Sequence, residues 1–112
     1  MKLATVRNFA LALPEVTEEP HHNFGSLRVR GKIFVTVPPP PEREHIHVFV
    51  SEQQREQAFA MYPAFADKLL WGGKVVGVRV TLALAPSSVV KSLVRHAWEN
   101  KAPSALLSQV VK

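Results

Sequence analysis

Between Leu27 and Val37, apolar and polar side chains alternate on both sides of one glycine, and this period of two constrains the chain more than any other feature in it. Leu27 and Val29 alternate with Arg28 and Arg30; beyond Gly31, Ile33, Val35 and Val37 alternate with Lys32, Phe34 and Thr36. The pattern predicts a β-hairpin with Gly31 in the turn, where its partner is Arg30 or Lys32. Pro38 to Pro41 are four consecutive residues without an amide donor, so they cannot join a ladder, and a stiff exposed connection runs on to Glu44. HIHVFV, from His45 to Val50, resumes the alternation as a third strand.

The flanking segments read differently. Val6, Phe9, Ala10 and Leu13 recur at helical spacing, and Pro14 ends that helix. The following PEVTEEPHHN is acidic and irregular and is expected to be a surface loop. Ser51 suits an N-cap for a helix with Ala58, Phe59 and Tyr62 on its apolar side, stopped by Pro63. After a short irregular piece containing Phe65 and Trp71, Gly72-Gly73 marks a turn into the valine-rich KVVGVRVTLAL, expected to form one or two strands. Pro86 opens a helix whose buried side is Val89, Val90, Leu93, Val94, Ala97 and Trp98. Pro103 separates it from a terminal helix carrying Leu106, Leu107 and Val110. Trp71 and Trp98 are both expected in the core.

At 112 residues the chain is expected to be a single domain, residues 1–112, of the α+β class: an antiparallel sheet with helices packed on one face. Strand parity then divides the sheet. The inner set is Leu27, Val29, Ile33, Val35, Val37, Ile46, Val48, Val50, Val76, Val78, Val80 and Leu82. The outer set is Arg28, Arg30, Lys32, Phe34, Thr36, His45, His47, Phe49, Arg79 and Thr81, which contains no carboxylate. Antiparallel sheets usually show water a mixed polar face, so cations and phenyl rings without acids depart from the default.

Fourteen Lys and Arg against nine Asp and Glu give a formal charge of +5, a field that favours anionic partners. The absence of cysteine excludes disulfides, thiolate nucleophiles and cysteine-ligated zinc, and suits the cytoplasm. The first residues are too polar and too short an apolar run for a secretory segment or membrane span. His45 and His47 share a strand face, yet two imidazoles fall short of the usual ligand set, so no metal or cofactor is expected. Neither Ser26 nor Ser51 sits in a nucleophile motif, and Glu15, Glu18 and Glu19 are read as a solvated loop, so no catalytic residues are assigned.

Four stretches form an ordered set: LALPEV at 11–16, FGSLRVRGKIF at 24–34, WGG at 71–73 leading to VRV at 78–80, and AWENKAP at 97–103. Together they resemble the MmcQ/YjbR family over nearly the whole chain. The resemblance implies a compact α+β fold likened to a double-wing DNA-binding motif, and it supplies no catalytic residues. The chain departs from that pattern at Asp67-Lys68-Leu69-Leu70, where related chains often carry a polar pair such as Pro-His. The expected role is therefore non-enzymatic binding of nucleic acid, with DNA as the expected partner, through Arg28, Arg30, Lys32, Phe34, His47, Phe49 and Arg79. The rival readings are a binding module for a small anionic ligand or a protein, and an enzyme using His45 or His47 as acid or base.

Overall fold

The computed structural model describes residues 1–42 and 44–110, the side chains of Gln109 and Val110 apart; the apolar role expected of Val110 falls outside the described side chains. The order of elements is α1 (Leu3–Leu11), β1 (Val16–His21), β2 (Phe24–Val29), β3 (Lys32–Val37), β4 (His45–Val48), α2 (Glu52–Met61), β5 (Ala66–Trp71), β6 (Lys74–Thr81), α3 (Ser87–Lys101) and α4 (Ser104–Val110). One antiparallel sheet runs β1-β2-β3-β4-β6-β5. The α+β architecture is as expected, with helices gathered on one face.

Two of its strands lie in segments read as irregular. Val16–His21 pairs along the whole of β2. Its polar, proline-containing sequence lacks an apolar alternation because it is an edge strand with only a weak claim on the core. Ala66–Trp71 forms the opposite edge, paired with β6. The turns explain why the hairpins close where they do: Arg30 and Gly31 have φ of 48° and 83°, and Gly72 and Gly73 have 57° and 81°. Positive φ at both central residues is what a two-residue hairpin with right-handed strand twist requires, and it makes Arg30 the partner of Gly31.

Two helix starts have a local cause. At α2, Ser51 and Gln54 cap reciprocally: the Gln54 amide donates to Ser51 Oγ at 3.3 Å, and the Ser51 amide donates to Gln54 Oε1 at 3.4 Å. Pro86 stands at the N-cap of α3. Val6 and Ala10 of α1, Ala58 of α2, Val90, Val94 and Trp98 of α3 and Leu106 of α4 share one core with Leu27, Val29, Ile46, Val48, Val78 and Val80 from the sheet. Trp98 is fully buried, and its indole Nε1 donates to the Pro14 carbonyl at 3.1 Å, tying α3 to the chain just beyond α1.

The parity assignment fails at two β-bulges. Leu27 faces Val35 while Arg28 faces Ile33, so Phe34 is an extra residue between them. A bulge resets the alternation, which turns Phe34 inward to full burial beside Val35 and leaves Ile33 half-buried on the other face with Arg28. Phe34 is thus a core residue and not an outer contact. The second bulge, where Leu69 faces Gly77 and Leu70 faces Val75, makes Val76 the unpaired residue, and it stays outside the core. Among the described residues no helix is long and apolar enough to cross a membrane.

Candidate functional site

The outer face of the sheet is built around three register pairs: Ser26 opposite Thr36, Thr36 opposite His47, and His47 opposite Arg79. Across this face the chain forms two adjoining hollows of about 250 and 260 Å³, both bounded by His21, Thr36 and Trp71. One is completed by Ile33, Phe49 and Lys101, the other by His22, Phe24 and His47. Among the described residues the lining includes no carboxylate.

Aromatic contacts shape the walls. Phe24 stands 6.0 Å from the His47 ring, and Phe49 5.7 Å from Trp71 at an interplanar angle of 55°. Phe49 is 9% exposed whereas Trp71 is 56% exposed. Gly77 makes the Phe49 position possible, because a Cβ there would lie 3.2 Å from Phe49 Cδ1 and 2.8 Å from the Val48 carbonyl oxygen.

The floor is polar. Thr36 Oγ1 and His47 Nδ1 are 3.2 Å apart, and both residues are buried. Burial pushes the His47 pKa down to about 4, with the neighbouring Arg79 and His45 acting in the same direction. The imidazole is therefore neutral at pH 7, with one donor and one acceptor nitrogen.

The cations expected on this face are arranged otherwise than parity implied. Arg30 donates twice to Glu15, at 2.8 and 2.9 Å, and that bond raises the arginine pKa and lowers the glutamate's. Arg79 Nη2 donates to Glu42 at 3.0 Å and lies 3.4 Å from His45 Nδ1, while Asp67 stands opposite Arg79 in the ladder. The carboxylates come from segments read as loops, which is why the outer set looked free of acid. Lys32 is exposed, but beyond the bulge it pairs with core-facing Val29 and so leaves the outer face. Arg28 stays outside, donating to Ser26 Oγ at 3.0 Å and to the Pro20 carbonyl at 3.3 Å. Both acceptors are neutral, and among the described residues no carboxylate pairs with it.

The structure thus brings His47 and Phe49 together, keeps Arg28 and Arg79 on the same face outside the hollows, and removes Phe34, Arg30 and Lys32 from them. It adds His21, His22, Phe24, Trp71 and Lys101. Trp71, expected in the core, is an exposed wall residue; its position at a strand end before Gly72-Gly73 was the available signal. His21 and Phe24 become visible only once Val16–His21 is recognised as a strand. Among the described residues no three His, Asp or Glu side chains gather as a metal site would need.

Residues 11–100 match the model of the YjbR family. The chain belongs to the YjbR family. The match spans β1 to β6 and nearly all of α3, and so includes every lining residue of the two hollows except Lys101. No curated protein matches this YjbR-family chain.

Proposed function

We propose that this domain is a non-catalytic nucleic-acid-binding module and that the outer sheet face is its contact surface. The observation that supports this reading is the cleft itself: exposed and half-exposed rings, Lys101 at the margin, and no carboxylate among the described lining residues. Rings of this kind stack on bases whatever their identity, and cations nearby offset phosphate charge.

The Thr36–His47 contact resembles a hydroxyl beside a base, yet the chemistry opposes catalysis. A general base works best with a pKa near the operating pH, and His47 lies well below it. Of the charges near it, Arg79 acts most strongly and disfavours the imidazolium that proton abstraction would create, against a smaller opposing pull from Glu42.

Titration of labelled single-stranded and duplex DNA at two salt concentrations tests the reading. With Arg30 and Arg79 already paired, the slope of log affinity against log salt should be about −1 to −2, shallower than the roughly −3 to −4 of four free cations on a duplex. Absence of binding to both forms at low salt and tens of micromolar protein, roughly the non-specific range, contradicts it.

A second reading, a small planar anion as ligand, is favoured by the size of the hollows, each just below the roughly 300 Å³ at which ligand pockets begin. It expects thermal stabilisation by a mononucleotide or an aromatic carboxylate and no binding of a strand.

A further inference from the structure

We infer that the cleft captures unstacked bases of a single strand, with Trp71 as the stacking platform and the Thr36–His47 pair as the hydrogen-bonding floor. This deepens the nucleic-acid reading and rests on it.

Three observations carry the assignment. The indole of Trp71 is more than half exposed at the mouth of both hollows, and the tilted Phe49 ring behind it holds its position. A flat ring entering beside it meets apolar side chains: Phe24 in one hollow, Ile33 with Phe49 in the other. At the bottom, Thr36 occupies His47 Nδ1, which leaves Nε2 as the ring atom available to an incoming group. In either tautomer the neutral pair presents hydrogen-bonding capacity suited to the edge of a base, whose own edge carries donors and acceptors.

Geometry separates a single strand from a duplex. The hollows are concave and receive rings face-on, and bases stacked and paired in a duplex have no free face to offer. A duplex would instead need an array of unpaired cations across the face, and two of the four arginine and lysine residues expected there are held by Glu15 and Glu42. Among the described residues, Lys101 in the lining and Arg28 beside the cleft suit a short length of flexible backbone.

Trp98 is fully buried, so Trp71 is the tryptophan that a ligand can reach, and its emission is a direct reporter. The experiment compares short oligothymidylate, an abasic strand of equal length, and the oligodeoxyadenylate–oligothymidylate duplex, each followed by tryptophan emission and by anisotropy of a labelled strand. Base capture predicts quenching by the intact strand alone, weaker binding of the abasic strand and the duplex, and a loss of about tenfold in oligothymidylate affinity for Trp71→Ala. Trp71→Phe should keep most of the affinity and lose the quenching. Equal binding of intact and abasic strands without quenching overturns base capture while leaving phosphate-directed binding in place. Failure of every strand to bind overturns both.

Discussion

Thr36 Oγ1 lies 3.2 Å from His47 Nδ1, a contact made across one register pair of the β3–β4 ladder and buried beneath the cleft. The ladder sets both Cα positions opposite one another, and burial keeps the histidine neutral where a solvent-exposed one would titrate near 6.5.

That neutrality makes stability depend on pH. The folded pKa of about 4 lies below the unfolded value of 6.5, so between them the unfolded chain binds a proton that the native one does not. His47 therefore leaves stability intact above pH 6.5 and lowers it as pH falls towards 4, by roughly 2 kcal/mol once partial solvent screening is allowed for. Urea unfolding of wild type and His47→Gln at neutral and mildly acid pH should show a smaller acid loss in the variant. Parallel losses would mean that His47 is protonated in the fold.

Gly77→Ala tests the packing under the cleft. Its Cβ would meet the Val48 carbonyl and the Phe49 ring at distances that force a shift, costing about 1–3 kcal/mol. The displaced Phe49 should also alter Trp71 emission. An unchanged denaturation midpoint and spectrum would show that the sheet relaxes there without moving Phe49.

Trp98→Ala removes a fully buried indole and its hydrogen bond to Pro14, and should cost about 3–5 kcal/mol in denaturant unfolding. Trp98→Phe, which keeps most of the packing but leaves the Pro14 carbonyl without its donor, should lose about 1–3 kcal/mol. A loss below about 1 kcal/mol for the alanine variant would contradict the packing of α3.

Glu15→Gln with Glu42→Gln releases Arg30 and Arg79 from their carboxylates without changing side-chain size. Exposed ion pairs contribute little to stability, so the melting temperature should hardly move. Strand affinity at low salt should rise, and the salt slope should steepen by up to about 1–2 as the freed cations meet phosphates. An unchanged slope would place both arginines away from the bound strand.

Much of the fold was legible in the sequence because it is written in local chemistry. The cap at Ser51, the stop at Pro63, the turn at Gly31 and the buried stripe from Val90 to Trp98 follow from side chains near one another in the chain. The six-stranded sheet was only partly legible, since β1 and β5 are edge strands whose residues answer to one neighbour and to solvent. Phe34 escaped because a bulge is a property of two strands together, and a single residue inserted between Leu27 and Arg28 pairings moves every side chain beyond it to the other face. The site suffered most from this. Parity placed His47 and Phe49 on the right face, whereas Trp71, His21 and Phe24 required the partners of the unrecognised strands. Glu15 and Glu42 reach Arg30 and Arg79 across distances in sequence that no periodicity carries.

Amide chemical-shift mapping during titration with oligothymidylate is the most direct test of whether the outer sheet face binds nucleic acid. Binding at the cleft predicts shifts concentrated at His21, Phe24, Ile33, Thr36, His47, Phe49 and Trp71, saturating with strand and weakened by added salt. Shifts confined to the helical side around α2 and α3, or none at all with strand in excess, would contradict it.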